Sequence, residues 1–261
     1  MGRKLKFVMN NKISIITVCF NCADQLEKTI LSYMSQTYND KELIVVDGGS
    51  NDRTIEVINK YHENISKWIS EPDEGIYDAM NKGLSLAVGE WVNFMNAGDV
   101  FTDKNVLTNI FKMQITNNIS FIYSDFYEMS GIGNSSVLRY ADRKLGMVNH
   151  QSSIYRKKLH LTHGFYQYKR PYKVYDLMFF LSIPEEEFLK AQYPISVSDN
   201  TGVSNNKTWC FEQAHCLRAA YGIISIHQAY KRYLCQCINN AMPKSLKFFI
   251  DKYVRRNKTQ C

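Results

Sequence analysis

The sequence predicts an α/β domain on an open, mostly parallel sheet flanked by helices, with a C-terminal helical extension. Three observations predict it. Near-continuous runs of β-branched and aliphatic residues, "ISIITVCF" (13–20) and "ELIVVD" (42–47), read as strands buried on both faces and hence interior to a parallel sheet. Segments with helical spacing alternate with those runs, the order expected of right-handed crossovers. Asn and Asp collect where the runs end, and that edge of an open α/β sheet is where ligands bind.

The elements follow in order. After the first strand, "DQLEKTILSYMSQ" places Leu26, Ile30, Tyr33 and Met34 at helical spacing, facing inward. The second strand ends in Asp47 and a Gly-Gly turn. "NDRTIEVINKYH" opens with a capping Asn/Asp and turns Ile55 and Ile58 inward. "KWISEP" is a short third strand. "YDAMNKGLSLAV" is a helix closed by Gly89, and "EWVNFMNAGDVF" a fourth strand ending in a polar turn. Beyond Asp103 the pattern loosens. "FIYSDFYEM" and "SSVLRYA" alternate like antiparallel strands, "YDLMFFLSI" reads as a helix, and the chain after Asn205 is helical and basic.

Charge is unevenly placed. The net charge is +7, but between Lys207 and Cys261 ten Lys/Arg face two acids, +8, which leaves about −1 for the rest. That basic end points to an anionic surface. No run is long and apolar enough for a signal peptide or a bilayer span. Seven scattered cysteines without an export signal suit free thiols in a reducing cytosol. Cys19-x-x-Cys22 has no second pair at zinc spacing and reads as one buried strand residue and one loop thiol.

The rim formed by Asn21, Asp47, Glu71 to Asp73 and Asn96 to Asp99 limits the ligand. The first strand-to-helix turn, "FNCADQ", has no glycine, which excludes dinucleotide and P-loop cradles. Carboxylates there repel a bare phosphate. They suit Mg²⁺ or Mn²⁺ bridging to a diphosphate, and they accept hydrogen bonds from sugar hydroxyls and base N–H groups.

Together, "ISIITVCFN", "ELIVVDGGSNDRT", "EPDEGIYDAMNKGLSLAVGEWVNFMNAGDVF" and "HQSSIYRK" resemble the inverting family 2 glycosyltransferases of the GT-A fold, and most of all bacterial enzymes that build O-antigen or capsule repeat units. The likeness covers about residues 12 to 180. It implies a catalytic domain over 1–205, with a nucleotide-sugar half at 12–103 and an acceptor half at 104–205, followed by a basic amphipathic extension over 206–261. It implies donor contacts from Phe20, Asp47, Asp73 and Asn96. The family's D-x-D metal motif falls on "NAGD", where Asn96 and Gly98 replace both acids and Asp99 alone remains as the ligand of Mn²⁺ or Mg²⁺. Asp176, in "KVYDLMFF", maps to the base that deprotonates the acceptor, and His150 and Arg156 to the acceptor or diphosphate. The implied activity is transfer of a hexose from a UDP-sugar to an undecaprenyl-diphosphate-linked saccharide. It would take place in surface-polysaccharide assembly, on the cytoplasmic face of the membrane, with the basic tail docked on anionic lipid and no nucleic acid involved.

Each residue also has a structural reading. Asp47 could cap the Gly-Gly turn, Asp73 could belong to a solvated turn, and Asp99 and Asp176 could each start a helix. His150 could be structural and Arg156 a surface residue. Asp78 and Lys82 fit a surface ion pair one helical turn apart. A non-catalytic sugar-nucleotide or membrane-docking module is the alternative function, favoured by the altered D-x-D.

Overall fold

The structure, a computed structural model, describes residues 11–129, 135–168, 174–199 and 208–242. The expected boundary at 205/206 and the tail from Lys244 onward lie outside the described residues. The chain separates into two compact units. One comprises Met1–Pro171 and Tyr175–Gly202, the other Tyr172–Val174 and Val203–Cys261.

The first unit is the expected α/β fold. Strands β1 (Ile13–Cys19), β2 (Lys41–Asp47), β3 (Lys67–Ser70) and β4 (Trp91–Phe94) alternate with helices α1 (Ala23–Ser35), α2 (Thr54–Lys60) and α3 (Ile76–Leu86). Every residue of β1 is buried, so this strand lies mid-sheet with β2 and β4 parallel on either side. Alternation of side chains divides its contacts. Ile13 and Ile15 pack with Leu26 and Ile30 of α1, and Ile16 and Val18 with Met80 and Leu84 of α3. Met34, expected inward, is 40% exposed; Leu26, Ile30 and Tyr33 fill that face without it. Helix α3 ends at Leu86. Gly89 instead meets β1, where a Cβ would lie 2.7 Å from the Ser14 amide nitrogen.

The fourth strand divides. β4 stays in the main sheet, and after the 95–99 turn β5 (Val100–Phe101) joins a second sheet, ahead of helix α4 (Val106–Lys112). The acceptor half contributes β6 (Phe121–Tyr123), β7 (Phe126–Met129), β8 (Ser136–Arg139), β9 (Ser153–Arg156), β10 (Phe188–Lys190) and β11 (Ser196–Ser198), with helices α5 (Leu159–His163) and α6 (Tyr175–Ser182). The main sheet has the order β10-β6-β9-β4-β1-β2-β3, and only β9 runs against its neighbours. The second sheet has the order β5-β11-β7-β8. In it β7 and β8 form the expected antiparallel pair.

The second unit is a helical pair, α7 (Thr208–Ala220) and α8 (Ile226–Ala241). Among the described residues no helix is long and apolar enough to cross a membrane.

Candidate active site

The parallel strands β1 to β4 end on one rim. Phe20, just past β1, keeps 60% of its surface exposed there. Asn21 is held in the left-handed region at φ 50°. Its backbone N–H donates to Ser50 Oγ at 2.7 Å, and its side-chain oxygen accepts from the Asn51 N–H at 2.8 Å. The loops after β1 and β2 are thereby tied together. A recess of about 440 Å³ opens between them, lined by Asn21, Asp24, Asp52 and Arg53 among others. None of Asp73, Asp99, His150 or Asp176 lines it.

Asp47 does not face this rim. It is fully buried, and its carboxylate accepts from the backbone N–H of Gly49 at 3.2 Å and of Ser50 at 2.9 Å, from Ser70 Oγ at 2.6 Å, and from Ser50 Oγ. A buried carboxylate is tolerated when donors surround it, and here those donors fix the Gly48–Ser50 turn. The expected donor contact of Asp47 is thus replaced by a scaffolding role. Asp73 comes close to the same turn. A Cβ on Gly48 would stand 2.4 Å from Asp73 Oδ2, and the other carboxylate oxygen of Asp73 accepts from the Gly75 N–H at 2.8 Å. Asp78 and Lys82 form the expected ion pair at 3.3 Å, which Glu71 joins at 2.9 Å.

Asp176, in the first turn of α6, is the centre of a polar cluster. It accepts from Tyr77 Oη at 2.8 Å and from its own helix through the Leu177 N–H at 2.8 Å, and His150 Nδ1 lies 3.3 Å away. Burial pushes its pKa up, but the hydrogen bonds from His150 and Tyr77 outweigh burial and hold it below the ordinary carboxylate value. It is therefore ionised at neutral pH, and 23% of its side chain remains open to solvent. Burial and the neighbouring negative charge of Asp176 push the Tyr77 hydroxyl well above its usual value, so it stays a donor.

His150 reaches the far side of the cluster. Its Nε2 lies 3.0 Å from Asn96 Nδ2. An amide nitrogen only donates, so Nε2 accepts and Nδ1 carries the proton that faces Asp176. The row Tyr77–Asp176–His150–Asn96 links the stretch 71–83, the start of α6, the residues ahead of β9 and the turn after β4.

Asp99 shares that turn; its N–H donates to the Asn96 carbonyl at 3.0 Å. It is 3% exposed, and its carboxylate accepts from Gln151 Nε2 and from the Asp199 N–H, both at 2.8 Å. Burial pushes its pKa up to about 6. Gly98, at φ 101°, leaves room for Asp199, whose Oδ2 would lie 2.8 Å from a Cβ there. The side-chain oxygens of Asn96 and Gln151 are buried and accept no hydrogen bond. A divalent cation is the group implied for this turn. Among the described residues no three His, Cys, Asp or Glu side chains converge as a cage for one. The oxygen-only set of Asp99 with two unspent amide oxygens fits a hard cation that draws further ligands from a diphosphate.

Arg156 is a correction. It closes β9 opposite Trp91, the first residue of β4, and so lies at the other end of the sheet from the rim. It is 5% exposed, pairs with Glu90, donates to the Ile119 carbonyl at 3.1 Å and stacks 4.5 Å from the Trp91 ring centroid. Those contacts make it structural. Asp125 pairs with Lys190 at 2.6 Å. Tyr77, Gln151 and Asp199 are the site residues that sequence reasoning passed over. Tyr77 alone left a signal, as the single aromatic within an acidic stretch at a helix start.

The glycosyl transferase family 2 model matches residues 14–176, from β1 to the carboxylate of Asp176. An uncharacterised glycosyltransferase of Mycobacterium tuberculosis is 38% identical over 96 residues, 36% of this chain and 37% of that protein. The cholesterol galactosyltransferase of Borreliella burgdorferi is 34% identical over 118 residues, 44% of this chain and 33% of its own. The chain therefore spans well under half the length of these curated relatives. Among solved structures, S. aureus TarS 1–349 in complex with UDP-GlcNAc superposes with a TM-score of 0.66 at 17% identity, covering 88% of this chain and 72% of that one. The Pyrobaculum calidifontis mannosyltransferase PcManGT in complex with GDP-Man and Mn²⁺ gives 0.64 at 13% identity, covering 93% and 79%. At such identities the likeness is one of fold.

Proposed function

The chain belongs to glycosyl transferase family 2, and from that premise we propose that it transfers a hexose from a nucleotide diphosphate sugar, a UDP-sugar, to a saccharide carried on a lipid diphosphate. The transfer inverts the anomeric carbon and serves assembly of a surface polysaccharide such as an O-antigen. The observation that carries the reading is Asp176, held ionised by Tyr77 and His150 and one residue removed from the turn of Asn96 and Asp99. The lipid carrier draws support from the cholesterol galactosyltransferase relative and the UDP-sugar from the likeness to the TarS complex.

The exposed ring of Phe20 offers a stacking face for the base, and Asp73, beside the Gly48 turn, accepts from the nucleoside or sugar. The acceptor hydroxyl attacks the anomeric carbon from the face opposite the diphosphate. Asp176 takes its proton as the new carbon–oxygen bond forms and the bond to the diphosphate oxygen breaks. His150 and Tyr77 keep that carboxylate aimed and unprotonated until then. Asp99, with the amide oxygens of Asn96 and Gln151, would hold a divalent cation, which supplies the positive charge that stabilises the leaving diphosphate. A single base suffices, whereas hydrolysis of a glycoside calls for two carboxylates across one bond.

The experiment is a panel of nucleotide sugars screened for protection against thermal unfolding, followed by a transfer assay with the best donor and NMR assignment of the product anomer. One donor raising Tm well above the others, with an inverted product, is the expected result. If no nucleotide sugar protects the chain and none is consumed, the transferase reading fails and only a non-catalytic membrane-docking role stands; protection without turnover would favour a non-catalytic sugar-nucleotide module.

A further inference from the structure

Helix α8 carries an apolar stripe that its neighbour α7 leaves uncovered. Ile226, Tyr230, Leu234 and Ile238 recur every four residues and are 82%, 61%, 41% and 61% exposed. Residues four apart lie one above another on a helix, so the four form one continuous band. The flank about 100° round the helix from it is spent on packing. Ala229 is buried and Tyr233 and Cys237 are partly buried, as is consistent with the contact between α7 and α8. A pair of helices in water has no reason to expose this second face, and a contiguous exposed apolar patch marks an interaction surface.

Charge selects the occupant. Helix α8 contains no Asp or Glu, and Lys231 follows Tyr230 at the border of the stripe, with His227 inside it. From Lys207 to Cys261 the chain holds ten Lys/Arg against two acids. A second copy laid face to face would bring two such cationic segments together. An anionic bilayer would instead be attracted by them, and it accepts aliphatic side chains and a tyrosine at its headgroup boundary. We propose that the Ile226–Tyr230–Leu234–Ile238 face of α8 inserts into the interface of an anionic membrane, with Lys231 at headgroup level. This surface would bring the chain to an acceptor confined to the bilayer. It rests on the proposed function for its use only, and its test needs no donor or acceptor.

The full chain is sedimented with vesicles of phosphatidylglycerol and phosphatidylcholine, and with phosphatidylcholine alone, at low and high salt. Binding that requires the anionic lipid, weakens with salt, and falls at least about tenfold in the Ile226→Ser, Leu234→Ser, Ile238→Ser variant is the expected result. In parallel, Tyr230→Trp should show blue-shifted emission on adding anionic vesicles and quenching by brominated lipid. That single exchange keeps the reading testable should the triple variant fail to fold. Absence of vesicle binding, binding that the stripe variant leaves unchanged, or unshifted Trp emission overturns the proposal. So does conversion of a dimer to a monomer by the stripe variant, since that would assign the face to a second copy. A chain that sediments with vesicles but is protected by no nucleotide sugar would keep the membrane face and lose the transferase reading.

Discussion

Asn96 Nδ2 stands 3.0 Å from His150 Nε2, and that contact decides which nitrogen of the imidazole holds its proton. Asn96, at the position where the resemblance expects an acid, is thus engaged by the partner of Asp176, the proposed base. Asn96→Asp would put an acceptor where a donor now stands. The contact that holds Nε2 as an acceptor is then lost, visible as a changed ¹⁵N shift of Nε2, while the native protein shows the Nδ1–H tautomer. A native Nε2–H tautomer would refute the assignment.

Asp176→Asn keeps the size of the side chain and removes the proton acceptor. Turnover should fall by roughly 10²–10⁴ while donor binding holds, the usual range for a lost general base. Tyr77→Phe removes one of the hydrogen bonds that hold Asp176 low. Because the base works only when unprotonated, the acid limb of the pH–rate profile should move to higher pH in this variant. A profile that moves down or stays fixed would separate Tyr77 from the base.

Gly48→Ala tests the turn. The new Cβ would meet Asp73 Oδ2 at 2.4 Å, so the carboxylate must swing away. Donor KM is expected to rise about tenfold or more, with Tm nearly unchanged, as for one lost charged hydrogen bond. Unaltered kinetics would mean that Asp73 makes no contact with the donor.

Asp99→Ala should weaken Mn²⁺ binding in the presence of UDP by at least about tenfold, measured by electron paramagnetic resonance of the free ion. Equal binding by the native chain and the variant would leave Asp99 a purely structural group, anchoring Gln151 and the Asp199 N–H.

His160 governs a separate pH effect. Buried against Tyr155, Tyr166 and Phe179, it titrates at about 4, pushed down by burial. The unfolded chain binds its proton near pH 6.5, so between about 6.5 and 4 the unfolded state holds more protons than the folded one. Stability attached to His160 is therefore complete above that window and lost as pH falls through it, by roughly 3 kcal/mol at most. His160→Gln should flatten the fall in urea midpoint between pH 7 and pH 4. An unchanged slope would assign the acid sensitivity elsewhere.

Strands β1 and β2 were legible because burial on both faces forces an unbroken apolar run, whereas β3, exposed at three of its four residues, was marked only by its place between two helical patterns. The site was legible only where a side chain's position followed from a strand end. Asp99 and Asp73 stand at such ends. Asp47 stands at the same kind of position, yet its direction is set by the turn it caps, which the residue order does not reveal. His150 and Arg156 were read as neighbours on one ligand. Arg156 is the last residue of β9, whereas His150 opens the tight turn ahead of that strand, so the length of β9 separates them. Four residues of β9 are too few for a periodicity that would have exposed this. Tyr77, Gln151 and Asp199 reach the site through tertiary contacts spanning 52 to 100 positions, beyond any local pattern.

The reversed direction of β9 divides the crevice by authorship. One wall is written by loops that leave the parallel strands, the other by a segment that arrives from outside the sheet and enters it just after His150. The stretch from Tyr140 to Asn149 takes no part in the ladders that set the register of β1, β2 and β4. Within such a layout the two sides of a transfer reaction can diversify separately. Exchange of this one segment between relatives is the smallest graft that would redraw the arriving wall while the wall built by the parallel strands stays as it is.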